Sequence, residues 1–222
     1  MKFPNAAKGV KKIFNAEIIS LIAALISGAG LVLGLIGAST ETDQTVGTTM
    51  LAVSGVLLIV SGIALLVAGI MNIVGFIQAA KDEEGIKRAV LCTVFGALIA
   101  FVSAFFENQT GFLGGLGTVL SSVSTVLNML VAIFMIGGLM NLSAKCNRPD
   151  MVKRGHDLLT TIVVSYIITF ALSLLVRFGA YTSSFGAGVI NWLSGLSALF
   201  TVFIYVLELI YLAKTKKMLA EA

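Results

Sequence analysis

The chain carries very little with which to do chemistry in water. Its 222 residues include one histidine, two cysteines, two prolines and one tryptophan, and only 12% are charged. His156, Cys92 and Cys146 fall short of the four ligands that a structural zinc takes, and their spacing matches no metal motif. We therefore expect no metal and no cofactor. Cys92 and Cys146 fall on the side read below as cytosolic, where reducing conditions disfavour a disulfide. No aspartate or histidine interrupts an apolar run, and no glycine-rich loop followed by Lys-Ser/Thr could cradle a phosphate. Intramembrane hydrolases need a nucleophile or an activated water beside an acid, a base or a metal. Nothing here supplies such a set, so the expectation is a protein without catalytic residues.

What the chain has in excess is apolar surface. Hydrophobic residues make up 58% and the mean hydropathy is +1.02, more than a soluble core of this size can hide. A helix needs roughly 20 apolar residues to cross about 30 Å of hydrocarbon. Six runs qualify, at about 17–38, 48–79, 89–107, 116–143, 158–178 and 189–213. Their continuity argues for helices, since barrel strands would alternate polar and apolar. The first run is uncharged from Ile18 to Ala38, longer than the apolar stretch of a cleavable signal, and is expected to stay. The predicted fold is an all-α integral membrane protein with six spanning helices, a single membrane domain over 1–222.

Charge sets the orientation. In a six-span arrangement Lys2, Lys8, Lys11, Lys12, Lys81, Lys87, Arg88, Lys145, Arg148, Lys153, Arg154, Lys214, Lys216 and Lys217 fall on one side and only Arg177 on the other. The positive-inside rule then puts both termini in the cytosol of a multi-pass cell-membrane protein. Glu41, Asp43 and Glu107 mark the opposite face. The pI of about 9.1 follows from this asymmetry and gives no reason to expect a nucleic-acid partner. The bilayer itself is the expected partner.

A pattern recurs three times: a basic pair, an apolar run, a polar turn, a second apolar run and the dipeptide Ala-Lys. The pairs are Lys11-Lys12, Lys87-Arg88 and Lys153-Arg154; the closing dipeptides are Ala80-Lys81, Ala144-Lys145 and Ala213-Lys214. The repeats cover about 8–81, 82–145 and 146–214, followed by a short cytosolic tail over 215–222. Two spans per unit make the copies enter the membrane in the same direction. This predicts three parallel hairpins with pseudo-threefold symmetry about the membrane normal. The second run of each unit looks the longer, as though tilted or projecting into the cytosol.

Small residues fall at coiled-coil spacing. Ser20, Ala23, Ser27, Gly30, Gly34 and Gly37 line the first run, and Gly96 and Ala100 lie in the third. The second repeats Ser54-Gly55, Ser61-Gly62 and Ala68-Gly69 every seven residues. Such seams let helix backbones approach closely in lipid, and Ser27, Gly30, Gly34, Gly55, Gly62, Gly69, Gly96 and Ala100 are the expected packing seam. The last two runs carry polar stripes instead: Thr161, Ser165, Thr169 and Ser173 at steps of four, then Asn191, Ser194, Thr201, Tyr205 and Glu208. Facing each other, they would bound a solute path.

Glu208 lies only six residues before Lys214, about 9 Å along a helix, and is expected to snorkel toward a loop lysine. An ion-coupling role is the alternative. Arg177 is expected to reach the far interface or pair with Glu107. Two functions fit: a small-solute or ion translocator or its membrane-embedded binding subunit, and a non-enzymatic scaffold that self-associates or binds membrane partners through its small-residue seams.

Overall fold

A computed structural model describes residues 2–39, 44–106, 112–181 and 187–221. Glu41, Asp43 and Glu107 lie outside these described residues. Six helices follow one another: α1 (Pro4–Ser39), α2 (Gln44–Ala79), α3 (Glu84–Phe106), α4 (Phe112–Lys145), α5 (Pro149–Tyr181) and α6 (Ala187–Glu221). All six contain segments long and apolar enough to cross a membrane, so this is a multi-pass membrane protein. α3 has 23 residues and the others 33 to 36. At 1.5 Å per residue the long helices reach about 50 Å, well beyond the hydrocarbon thickness. Only the middle hairpin has a markedly longer second helix. In the first, α1 equals α2 because it starts at Pro4, thirteen residues before its apolar run.

Local chemistry fixes the ends where the lysines cluster, called here the basic end. Pro149 opens α5 at a position that needs no N–H, with Asp150 in the favourable first turn. α4 closes in a Schellman turn: Arg148 N–H donates to Ser143 O (3.0 Å) and Asn147 N–H to Ala144 O (3.0 Å), with Asn147 left-handed at φ 56°. Asp82, in the α2–α3 turn, accepts from the Ala6 N–H (2.8 Å) and the Asn5 amide (2.9 Å), capping α1 from another hairpin.

Each helix packs on its neighbours in sequence, and α1 also touches α6, so contacts run in a closed ring with one crossing contact between α4 and α6. The α1–α2 pairing is the most extensive and α3–α4 the next; α5 and α6 meet more sparsely.

The α1–α2 pairing has a simple rule. Gly9, Ala16, Ala23, Gly30 and Gly37 are all buried, as are Gly47, Ser54, Ser61, Ala68 and Gly75, each set seven residues apart. The helices are antiparallel, and Gly9 meets Gly75, Gly30 meets Ser54 and Gly37 meets Gly47 in one register. A Cβ on Gly9 would stand 2.5 Å from the Gly75 carbonyl oxygen, and one on Gly37 3.0 Å from that of Gly47. Ser54 Oγ donates to Gly30 O (2.8 Å) across the seam. This is the close backbone approach that small residues permit in lipid.

The seam on α2 therefore runs through the first member of each small pair. Gly55, Gly62 and Gly69 have nothing within 4 Å of where a Cβ would be, contrary to the expected seam. The reason is angular: a heptad seam takes one narrow stripe, and its neighbours at i+1 turn about 100° away. On α3, Gly96 is buried against Leu127 and Asn128, and its carbonyl accepts from Ser124 Oγ (3.4 Å), whereas Ala100 is exposed.

Large buried side chains gather at the basic end. Val10, Ile13, Phe76, Ile86, Ile136, Leu139, Leu142, Leu158, Leu212 and Leu219 form one core there. Toward the far end the helices bury mainly small residues along paired seams and leave their leucines outward, with Leu35 72% and Trp192 70% exposed. Water drives large apolar side chains together where helices leave the bilayer; lipid does not, because its tails are as apolar as leucine.

Candidate functional site

A polar cluster lies between α5 and α6. α5 contributes Tyr166 and Thr169, and α6 contributes Thr201, Tyr205 and Glu208 with Ile204, around a cavity of about 110 Å³. The α6 residues recur at three and four residues and so share one face. α1 brings Glu17 to the same place. Its Oε1 accepts from the Asn72 amide of α2 (2.8 Å), and its backbone carbonyl accepts from the Tyr205 hydroxyl, which also sits beside its carboxylate.

Two carboxylates thus converge inside a membrane protein. Glu208 and Glu17 both lie beside Tyr205, and neither forms a salt bridge among the described residues. This corrects the expectation that Glu208 meets a loop lysine. Its helix face turns it inward toward Tyr166 and Tyr205 instead of outward along α6. The basic end has one buried carboxylate that does find a lysine: Glu83, bonded to Lys145 (2.6 Å) and to the Asn141 amide (3.2 Å). Two polar atoms near the Glu17–Glu208 pair, Asn72 Oδ1 and Thr169 Oγ1, are buried without a hydrogen-bond partner. An arrangement of carboxylate, amide and hydroxyl oxygens with no cationic side chain suits a small hard cation or a proton.

The predicted stripes converge over part of their length. Thr169, Thr201, Tyr205 and Glu208 meet at this cavity. Ser165 is buried nearby, and the Ser173 hydroxyl is tied to Phe170 O (2.8 Å) one turn on. Thr161 instead lines a separate groove near the basic end, its hydroxyl bonded to Asp157 O (2.9 Å). Asn191 and Ser194 fall on α6 toward the far end, ten and seven residues from Thr201. The expected partner of Arg177, Glu107, lies outside the described residues.

Glu17, Tyr166 and Asn72 complete the cluster and are missing from the polar stripes read in sequence. Glu17 stands one residue before the uncharged run, where it reads as a boundary, yet it is only five residues past Lys12, about as far as Glu208 is from Lys214. That shared depth was the available signal. Tyr166 falls beside the stripe of fours on α5, and it also walls an apolar cavity of about 130 Å³ toward α4.

Among the described residues no group of three or more His, Cys, Asp or Glu side chains forms a metal cluster. Compared with protein-family models, curated proteins and solved structures, the chain matches none.

Proposed function

We propose that this membrane protein binds and translocates a small cation or protonated solute, alone or as the membrane-embedded subunit of a larger transporter, and that it is not an enzyme. The observation that carries this reading is that Glu208 lines the cavity while Glu17 is bonded to Tyr205 of the same lining, neither carboxylate forming a salt bridge among the described residues. Carboxylates in a membrane interior are costly, and two flanked by no cation are costlier still. A proton or small cation between them relieves both penalties. The cavity has room for a bare ion with a few waters, whose share of liquid volume is about 30 Å³ each.

Orientation and symmetry enter the same proposal. With the basic end in the cytosol, the site lies just inside the cytosolic leaflet. Three parallel hairpins around a pseudo-threefold axis would enclose an axial path. The ring of helix contacts supports that arrangement, as does the recurrence of a serine-to-glycine seam bond in the first two hairpins, Ser54 to Gly30 and Ser124 to Gly96. Cysteine substitution at Thr169 and Thr201 tests water access: labelling by a membrane-impermeant maleimide, slowed by added cation, is expected. Complete protection of both positions would overturn the path.

A second reading is favoured by one observation. Gly55, Gly62 and Gly69 present a heptad of open glycines on α2, away from α1. A second copy or a membrane partner packing there would make the protein a scaffold. Gly62→Leu would then abolish self-association while leaving the hairpin intact, and unchanged assembly would remove this reading.

A further inference from the structure

Outside the Glu208 cavity, α5 and α6 diverge at the basic end to leave a groove of about 240 Å³. Arg154, Asp157 and Leu158 line it from α5, and Leu207, Ile210 and Lys214 from α6. Leu158 lies eleven residues, about three turns, before Thr169, so the groove and the carboxylate cavity follow one another along the α5–α6 interface, with the groove nearer the basic end and lined by different residues. Tyr211 closes its back wall. That side chain, 4% exposed, seats against α5 because Gly155 has no Cβ, which would collide with the Tyr211 hydroxyl and with Met140.

The groove is graded. Arg154, Asp157 and Lys214 are exposed at its wide end, and none of the three forms an ion pair among the described residues. Deeper along the helices the lining turns apolar, with Ile210 47% exposed on the membrane side. Charges at headgroup level above an apolar trough match the outline of a phospholipid. Basic pockets between helices near the cytosolic face are recognised sites for lipid headgroups. The presence of one carboxylate beside two cations narrows the class, since it repels a purely anionic headgroup and attracts an ammonium.

We propose that this groove is a binding site for a phospholipid with a phosphoethanolamine headgroup. Its phosphate sits between Arg154 and Lys214, its ammonium donates to Asp157, and an acyl chain lies along Leu158, Leu207 and Ile210. The site is independent of the translocation reading, because it shares no side chain with the carboxylate cavity.

Native mass spectrometry of delipidated protein in mild detergent, with equal amounts of phosphatidylethanolamine, phosphatidylglycerol and phosphatidylcholine, tests it. One retained phosphatidylethanolamine is expected in preference to the other two. Arg154→Gln and Lys214→Gln each lower retention about fivefold, the worth of one basic residue near a charged headgroup layer. Arg154→Lys largely preserves it. Asp157→Asn abolishes the preference and raises phosphatidylglycerol binding. Equal retention of the three lipids, or a preference unmoved by these substitutions, would overturn the site. Displacement of the lipid by soluble glycerophosphoethanolamine would overturn a lipid as the occupant.

Discussion

The hydroxyl of Tyr205 donates to the backbone carbonyl of Glu17, a residue 188 positions earlier in the chain. One bond thereby joins the last helix to the first and ties Glu17 to a residue of the cavity that Glu208 lines. A helix carbonyl normally accepts from its own chain four residues on, so this one is shared between helix and neighbour. The α1–α6 contact is otherwise modest, and Lys216 over the Phe14 ring, 4.2 Å from its centroid, adds a second polar link.

Tyr205→Phe removes that bond and leaves the ring. The expected loss is about 1 kcal/mol of stability, the net worth of a typical intramolecular hydrogen bond. Thermal unfolding in detergent measures it. Lower cation affinity at the Glu17–Glu208 pair should accompany it, because the helices that carry the pair are no longer tied.

The α1–α2 seam predicts opposite outcomes for two glycines in one hairpin. At Gly37 an added Cβ would stand 2.9 Å from Met50 Cβ, so Gly37→Ala forces the helices apart and costs roughly 1–3 kcal/mol. At Gly62 an added Cβ meets nothing, and Gly62→Ala gains up to about 1 kcal/mol from helix propensity. Denaturant titration of both variants compares them directly.

Glu83 and Lys145 should respond unequally to substitution. Glu83 is buried while the Lys145 side chain is 50% exposed, so losing the lysine strands a buried carboxylate on Asn141 alone. Lys145→Ala is expected to cost on the order of 3 kcal/mol, and Glu83→Gln about 1, since the amide keeps a bond to Asn141 and frees the lysine to water. Equal costs would mean that the pair behaves as a surface ion pair.

Asn147 holds the left-handed position of the α4–α5 turn. Asn147→Gly should be nearly neutral, and Asn147→Ala should cost about 1 kcal/mol, because a Cβ without a compensating polar group disfavours that conformation. The same unfolding measurement distinguishes them.

The six helices were legible because a span must be long and apolar, and composition alone carries that information. Their extension past the spans was less visible: α1 runs through Lys8, Lys11 and Lys12 before its apolar stretch, where charge reads as loop although lysine is a capable helix former. The small-residue period was legible too, but Ser54-Gly55 and its two successors offered two adjacent stripes. Only the partner helix decides between them, by matching Gly30, Ala23 and Ala16 to the first. At the site, the α6 face was readable from spacing. Glu17 was only hinted at by its depth past Lys12, because what makes it notable is its bond to Tyr205 across the ring, and no local pattern encodes that contact.

The central claim is that Glu17 and Glu208 together hold a transported cation. Cation and proton flux into proteoliposomes containing purified protein, driven by an imposed membrane potential, tests it most directly. The account predicts flux above that of empty vesicles, lost in Glu208→Gln and strongly reduced in Glu17→Gln, with both variants folded as judged by unfolding midpoint. Wild-type flux no greater than that of empty vesicles, or flux unchanged by both substitutions, would contradict it.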